Sequence, residues 1–409
     1  MIGERIRQAR LCSGLTLEQL SVQLNKAGVQ ISRQGLSNYE KNKRVPRPSM
    51  LIRIGRILNV KPSYFMASQD LEIVWTAYRC QTRLTKTLKS EIEAIGASQA
   101  EKYMAINDLI FPDFQSQFDH KIEVNTEPEA DIAADSLRKL WNLGTAPIDS
   151  LTKIFENKGG IIVEYPLNSV KFDGLSGWVN SKCPIIVINS AISDDRIRFN
   201  IGHEIGHLIM SCNDVDSKTT EKLAHRFSGA FLLPTEVIKK ELGDFRRSIL
   251  PKELAELKVK YGLSMQACLF RAFNAGIINE STFNRLFREF SAKGWRKKEP
   301  VMYEGNEKPS RLRQILLRAL AENLVSQEKA EEVLPNITAA INEDDYGTER
   351  RTLSPTTVLK LPVGERAKLL RKAADKMKEE YENNKELTSF DAFKENDLYD
   401  YEDFEPAKR

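Results

Sequence analysis

Apolar residues near the N-terminus recur every three or four positions, which is the spacing of amphipathic helices. The first helix is predicted over residues 2–11. Thr16 and Gln19 form the two ends of a capping box, so a second helix is predicted to begin there. Ser32 is the predicted N-cap of a third helix over residues 33–40. This succession predicts a helix-turn-helix fold, whose third helix presents side chains to the major groove of DNA.

The segment that follows, residues 67–127, is predicted to connect two domains. Its apolar spacing favours helices over residues 71–88 and 98–109. A mixture of Pro, Asp, Gln and Asn between residues 111 and 128 indicates a domain boundary. Beyond this boundary, residues 129–143 predict an amphipathic helix. The apolar face of that helix is predicted to hold Ile132, Leu137, Leu140 and Trp141.

Short apolar runs bounded by turn residues predict a small β-sheet before the next helix. The predicted strands cover residues 160–165, 174–179 and 184–189. The chain as a whole is therefore predicted to be α+β, with an all-α N-terminal domain and a mainly helical central domain around the small sheet.

The next helix carries the most informative motif of the chain. Residues 192–210 read ISDDRIRFNIGHEIGHLIM, and Asp194 or Asp195 is the predicted cap. His203 and His207 lie on one helical face, about 6 Å apart along the axis, so both imidazoles can converge on one ion. Glu204 between them can act as a general base on a water molecule at that ion. This is the HExxH signature of zincins, and it requires a helix.

A catalytic zinc site with two histidines normally takes a third protein ligand and leaves one position to water. Glu221 lies fourteen residues beyond His207, on a helix predicted to begin after Thr219 and Thr220, and it is the predicted third ligand. His225 lies one turn further along the same helix. It could orient a ligand, bind the ion itself, or have no role. His225 and, less favourably, Tyr165 are also the candidates for a second electrophile.

Composition and charge restrict the functional classes. The 409 residues suffice for two to three domains, and no apolar run is long enough to span a membrane, so a cytoplasmic protein is expected. Five scattered cysteines without a CxxC pair favour neither disulfides nor a thiolate zinc site. Residues 1–66 contain twelve basic and three acidic residues, whereas the whole chain has a net charge of only +4. The basic N-terminal end therefore favours a nucleic-acid partner.

Residues 1–66 resemble the DNA-binding domain of phage-repressor (Cro/C1, XRE) regulators, mainly through the stretch from TLEQLSVQL to LIRIGRIL. The resemblance implies a homodimer on a double-stranded DNA operator with two half-sites about 34 Å apart. It also implies two groups of contacts. The base-reading candidates are Arg33, Gln34, Ser37 and Asn38, and the phosphate-binding candidates are Lys41, Lys43, Arg44 and Arg47.

Residues 128–335 resemble the ImmA/IrrE family of zinc-dependent metallo-endopeptidases, through FDGLSGWV, RIRFNIGHEIGHLIM and EKLAHRFSGAFLLP. The resemblance implies one Zn²⁺ per chain, held by His203, His207 and Glu221, with Glu204 as the catalytic base. It also implies a narrow substrate, namely a repressor or another protein partner. Family members usually have Asn where this chain has His225, which permits an altered metal site.

The remaining residues, 336–409, form an acidic tail. Residues 379–409 hold eleven acidic and four basic residues with interleaved aromatics. This tail resembles the toxin-binding tails of type II antitoxins, which implies a basic toxin as a possible partner. It could alternatively cover the DNA-binding face of its own chain, or be a solvated helix followed by a disordered end.

Together these features predict a bacterial transcription regulator that couples zinc-dependent proteolysis of a specific protein partner to transcriptional control. Retention of Glu204 favours this function, because a purely structural zinc site does not need that carboxylate. The alternative is a repressor or antitoxin that binds DNA and a toxin, with the zinc domain acting as a sensor without turnover.

Overall fold

The computed structural model describes residues 1–67, 71–76, 84–112, 116–118, 121–167 and 172–338, together with residue 371. The first six ranges form one compact unit from Met1 to Thr338. None of the helices in these ranges is both long enough and apolar enough to cross a membrane. The predicted acidic tail lies almost entirely outside the described residues, and its predicted interactions remain predictions.

The N-terminal domain is a small helical bundle. It contains α1 (Ile2–Cys12), α2 (Leu17–Lys26), α3 (Arg33–Glu40), α4 (Pro48–Leu58) and a 3-10 turn (Pro62–Met66). The predicted caps are confirmed, since Thr16 and Gln19 form a capping box and Ser32 Oγ accepts a hydrogen bond from the Gly35 amide. Helix α4 begins at Pro48, whose fixed φ suits a first helical position.

The strands of the structure are β1 (Ile73–Trp75), β2 (Ile122–Glu123), β3 (Ile161–Glu164), β4 (Gly174–Val179), β5 (Cys183–Ile188) and β6 (Met210–Ser211). Four of them form one sheet in the order β1-β4-β5-β3, where β4 is antiparallel to both β1 and β5 and β3 is parallel to β5. The three strands predicted from sequence are confirmed. Strands β2 and β6 pair separately in parallel.

The prediction of a helix over residues 71–88 is wrong in its first part. Ile73, Val74 and Trp75 form β1, because these β-branched and aromatic residues add an edge strand to β4. The helix of this region, α5 (Lys86–Ile110), begins only at Lys86, so the predicted 98–109 helix is its second half. The connector therefore contributes both a strand and a long helix to the sheet of the following domain.

Helix α5 packs on one face of the sheet and also contacts the N-terminal domain. Its buried residues Ile92, Tyr103 and Ile106 share a core with residues of β3, β4 and β5. On its other side, Arg5 of α1 binds Glu101 with a nitrogen-to-oxygen distance of 2.7 Å. The same guanidinium donates a hydrogen bond to the carbonyl of Ala67. These contacts hold the N-terminal bundle against α5.

The remaining helices lie on both faces of the sheet, because the last two share the core of α5 and the others pack in the core on the opposite face. They are α6 (Glu127–Leu140), α7 (Leu151–Asn157), α8 (Asp194–Ile209), α9 (Ser217–Leu232), α10 (Thr235–Leu242), α11 (Pro251–Tyr261), α12 (Met265–Asn274), α13 (Glu280–Ala292), α14 (Arg311–Ala321) and α15 (Gln327–Val333). Helix α6 packs with an alanine-rich face, whereas Ile132 and Leu140, which were predicted to be buried, are 63% and 48% exposed. Small alanine side chains allow α6 to approach α9 closely.

The caps of the next two helices differ from the predictions. The N-cap of α8 is Ser193, and Asp195 instead binds Lys258 at 2.8 Å in the interior. Helix α9 begins at Ser217, earlier than predicted, because the carboxylate of Asp216 accepts a hydrogen bond from the Thr219 amide. This earlier start places Glu221 inside a regular helix.

A buried ion pair fixes the start of α7 against α8. The Glu307 carboxylate accepts hydrogen bonds from the amides of Leu151 and Thr152 and from the guanidinium of Arg198. Both charged side chains are only 1% exposed. Glu307 therefore stabilises α8 at Arg198, which precedes the HEIGH motif in the same helix.

We expect Glu307→Ala to lower the free energy of unfolding by about 3–5 kcal/mol, because the variant leaves the Arg198 guanidinium buried without its carboxylate. Chemical denaturation of the full chain measures this change. Glu304→Ala is the matched control, since the Glu304 side chain is exposed and its loss should change stability by less than about 0.5 kcal/mol. Equal stability of the two variants would contradict the structural role of Glu307.

Candidate metal centre

Helices α8 and α9 lie against each other and carry all three predicted metal ligands. Gly202 makes a close approach possible, because a Cβ atom at this position would lie 2.6 Å from Ser228 Oγ of α9. One turn later, a Cβ atom at Gly206 would lie 3.1 Å from the ring of Phe227. The two glycines flank His203 and Glu204 in the sequence. The backbone of the motif can therefore approach the helix that carries Glu221.

The side chains of His203, His207 and Glu221 converge on one point. The two Nε2 atoms of the histidines are 3.0 Å apart. The Glu221 carboxylate oxygens lie 3.3 Å from Nε2 of His203 and 3.5 Å from Nε2 of His207. One donor atom from each residue falls within a group no wider than 4.8 Å. In the described part of the chain, this is the group of histidine and acidic side chains that could hold a metal ion.

These distances fit a tetrahedral zinc ion. Zinc binds imidazole nitrogen at about 2.0–2.1 Å, and the edge of a tetrahedron of that radius is roughly 3.3 Å. The imidazole nitrogens are 3.0 Å apart, and each lies 3.3 or 3.5 Å from one of the two Glu221 oxygens, which are separations close to this edge length. Two imidazoles and one carboxylate are also the donor set of catalytic zinc sites with an open fourth position. The residues present therefore fit the predicted ion.

The protonation state of His203 also suits a ligand. Burial lowers the pKa of His203 to about 3, although the neighbouring Glu221 carboxylate acts in the opposite direction. A neutral imidazole keeps a nitrogen lone pair, which is what a metal ion binds. The side chain is only 9% exposed, so most of the ring is shielded from water.

Glu204 lies beside this group and is held by strand β4. Ser176 Oγ donates a hydrogen bond to Glu204 Oε2 at 2.6 Å. Gly174, on the same strand, leaves room for the carboxylate, since a Cβ atom there would lie 3.1 Å from Glu204 Oε1. Burial raises the pKa of Glu204, while the charges of His207 and the Ser176 hydrogen bond act against this shift. A carboxylate with a raised pKa suits a group that must carry a proton during part of a reaction.

A cavity of about 180 Å³ opens beside the site. It is lined by Thr76, Gly206, His207, Met210, Cys212, Thr220 and Glu221. Thr76 belongs to the extended segment that includes β1, so the connector forms one wall of the space next to two of the metal-binding candidates.

His225 lies beside the three converging side chains without contributing a donor atom to the group. The ring of His225 stacks on Phe199 and lies 4.4 Å from the ring of His203, centroid to centroid, at an angle of 44°. It is exposed on the surface of α9 and is not one of the three ligand candidates that converge. His225 can therefore support the His203 ring by contact. Tyr165 is engaged elsewhere, because its hydroxyl donates a hydrogen bond to Glu91 at 2.8 Å.

The predicted DNA-binding residues lie on α3 and on the loop that follows it. Arg33 and Gln34 are exposed at the start of α3, and Ser37 and Asn38 are half-buried one turn later. Gln34 Nε2 donates a long hydrogen bond of 3.4 Å to Asn38 Oδ1. The four basic candidates, Lys41, Lys43, Arg44 and Arg47, are all exposed. The backbone carbonyl of Asn38 accepts hydrogen bonds from the amides of Lys43 and Arg44, which fixes the loop against the helix.

Sequence reasoning missed two residues of the site. Ser176 was visible in the FDGLSGWV motif, but only the pairing of strands brings its hydroxyl to Glu204. Thr76 carried no signal at all, because it lies within residues 71–88, which the apolar spacing assigned to a helix.

Two parts of the chain match known families. Residues 157–273 match a peptidase family whose model is described as the IrrE N-terminal-like domain. Residues 6–65 match the family described as helix-turn-helix. A search of curated proteins found no match to the chain. The two domain types predicted from the sequence, and the α+β fold class, are confirmed.

Proposed function

We propose that this chain, in which an XRE-type helix-turn-helix domain precedes an IrrE N-terminal-like domain, is a transcription regulator that hydrolyses a protein partner with the help of zinc. The observation that carries the proposal is the convergence of His203, His207 and Glu221 at tetrahedral spacing, with a buried glutamate beside them. A structural zinc site would need the three ligands but not Glu204.

The chemistry follows from the residues around the cavity. Bound zinc would polarise a peptide carbonyl and lower the pKa of water towards 7. His203, His207 and Glu221 would hold it in place. The Glu204 carboxylate would take the proton of the attacking water and pass it to the leaving amine nitrogen. Ser176 keeps the carboxylate of Glu204 in position for both transfers. Metal analysis of the purified full chain tests the premise, and material without a stoichiometric ion would end the hydrolytic proposal.

The DNA-binding half of the proposal is supported by the exposed, basic surface of α3 and its loop. Arg33, Gln34, Ser37 and Asn38 are the side chains proposed to read base edges, since Arg pairs with guanine and the amides pair with adenine. Lys41, Lys43, Arg44 and Arg47 are proposed to bind phosphates. A homodimer on two half-sites is the expected form of the complex, as for other helix-turn-helix proteins.

We expect Arg33→Ala and Lys43→Ala to weaken DNA binding in different ways. Loss of a base contact should cost about 1–3 kcal/mol on the operator and relax its sequence preference. Loss of one phosphate contact should weaken binding to all sequences and reduce the slope of log K against log salt by about 0.9. Titrations of operator and random duplexes at several salt concentrations measure both effects.

Lys240→Ala is the control for this comparison, because it removes an exposed positive charge from α10 rather than from the N-terminal domain. Its operator affinity and salt slope should match those of the unmodified chain. If Arg33→Ala and Lys43→Ala behaved like Lys240→Ala, α3 and its loop would not be the DNA-binding surface.

The substrate is proposed to be a specific repressor or other partner protein, and hydrolysis would then change transcription. The contact of α1 with α5 supports such a coupling, since α5 connects the N-terminal bundle to the sheet beside the metal centre. The proposed binding of a basic toxin concerns residues 336–409 and is separate from this argument.

A further inference from the structure

Strand β1 covers the outer edge of β4, the strand that holds Glu204. Its register places Ile73 opposite Val179, Val74 opposite Trp178 and Trp75 opposite Gly177. The pairing continues beyond both ends of the strand. The Thr76 amide donates a hydrogen bond of 2.9 Å to the Ser176 carbonyl, and the Asn180 amide donates one of 2.7 Å to the Glu72 carbonyl. Residues 72–76 therefore form an antiparallel ladder with residues 176–180.

This ladder runs towards the metal centre. Thr76 is its last described residue, and it lies opposite Ser176, whose hydroxyl binds Glu204. Thr76 Oγ1 also donates to the Ser176 carbonyl at 3.2 Å. The same threonine lines the cavity that contains His207 and Glu221. The connector thus brings an extended backbone to the cavity beside His207 and Glu221.

Trp75 fixes the ladder on the face of the sheet that packs against α5. A Cβ atom at Gly177 would lie 2.9 Å from the indole, and a Cβ atom at Gly96 of α5 would lie 2.8 Å from it. Gly177 of β4 and Gly96 of α5 therefore form the seat of Trp75, that is, the space that holds its indole ring. Val74, by contrast, is 49% exposed, so its side chain contributes little to packing.

A substrate would need the same edge. An extended peptide binds to a sheet edge through main-chain hydrogen bonds, which place its backbone while pockets select its side chains. Strand β4 is the part of the sheet next to Glu204, and its other edge is already paired with β5. A partner segment presented to Glu204 along β4 would therefore have to take the position of residues 72–76.

We propose that residues 72–76 are an internal occupant of the substrate-binding edge and must leave β4 before a partner protein can bind. This inference rests on the proposed peptidase function and specifies its substrate class. The substrate segment is extended, runs antiparallel to β4 and carries a large aromatic side chain opposite Gly177, where Trp75 lies in the free chain.

The exchange Val74→Pro tests the proposal. In an antiparallel ladder, every second residue of a strand directs its amide towards the partner strand. The Thr76 amide binds the Ser176 carbonyl, so the amide of Val74, two residues earlier, faces Trp178. Proline removes this donor, whereas Val74→Ala keeps it and loses a similar amount of exposed side chain. Both variants are made in the full, zinc-loaded chain that also carries Glu204→Gln, so that a bound peptide is not cleaved.

The probe is a fluorescent peptide with the sequence of residues 71–76, LEIVWT, added in trans. We expect the Val74→Pro chain to bind it at least tenfold more tightly than the Val74→Ala chain. A peptide with alanine in place of tryptophan should lose this gain. Thermal melting and metal analysis verify that both chains are folded and loaded. If Val74→Pro does not fold, Trp75→Ala in the chain replaces it, with the same expected gain over Val74→Ala.

Equal peptide affinity of the Val74→Pro and Val74→Ala chains would overturn the proposal. A gain in affinity that does not depend on the tryptophan of the peptide would also overturn it. Binding is measured without turnover, so this failure is distinct from a failure of the peptidase function. If the Val74→Pro chain binds the peptide as expected but the unmodified chain never hydrolyses a protein, the proposal of an occupied edge is supported and the proposed peptidase function is contradicted.

Discussion

Replacement of Glu204 by Gln is expected to reduce hydrolysis of the partner protein by about 10²–10⁴-fold or more, the contribution typical of a general base. Glutamine keeps the size of the side chain and can still contact Ser176, but it cannot accept the proton of the attacking water. The measurement is a comparison of new protein N-termini in cells that produce either chain. N-termini that appear only with the unmodified chain identify the substrate and the scissile bond.

The metal content and the operator affinity of Glu204→Gln serve as its controls. Both should equal those of the unmodified chain, because Glu204 is not one of the three converging ligand candidates and lies outside the N-terminal domain. Transcriptional control should be lost together with cleavage. Unchanged regulation in this variant would instead favour the alternative function, in which the zinc domain senses a signal without turnover.

Local signals in the sequence predicted much of the helix-turn-helix domain. The Thr16 and Gln19 capping box and the Ser32 cap each fix a helix end through atoms three residues apart, so neighbouring residues contain the information. The pair His203 and His207 is similar, because helical geometry alone brings the residues at this spacing together. These parts needed no knowledge of the tertiary structure.

Other features depend on contacts between distant segments, and the sequence pattern did not specify them. Residues 73–75 have apolar spacing compatible with a helix, and their pairing with β4, about 100 positions away, makes them a strand. Ser176 reaches Glu204 only because β4 packs beside α8. Ile132 is exposed because the alanines of α6, rather than its larger residues, face α9.

The proposed coupling between the two domains has a defined structural route. Arg5 of the N-terminal bundle binds Glu101 on α5, and Gly96 on the same helix forms part of the seat of Trp75. A movement of the bundle relative to α5 would therefore act on the helix that also holds β1 in place. Under the proposed function, α5 is therefore the helix through which DNA binding and access to the edge of β4 would be linked.

The sequence offered two residues of α9 as the third metal ligand, Glu221 and His225. Replacing each by alanine is expected to give the second large effect. We expect Glu221→Ala to lower zinc affinity by more than 100-fold, because the carboxylate oxygens lie 3.3 and 3.5 Å from the imidazole nitrogens of His203 and His207. His225→Ala should lower zinc affinity by about 10- to 100-fold at most. His225 contacts the ring of His203, and residues that support a metal ligand without binding the ion have effects of that size.

Competition with a chelator of known zinc affinity measures both variants, and metal analysis gives the stoichiometry of each. His207→Ala provides the reference for loss of a ligand from α8, and its affinity should fall as far as that of Glu221→Ala. Because Glu221 and His225 lie one turn apart on α9, the two alanine variants alter the same helix and differ in the donor removed. A chain that keeps its ion without Glu221 but loses it without His225 would make the histidine the third ligand, and would replace the two-histidine, one-carboxylate site by a three-histidine site.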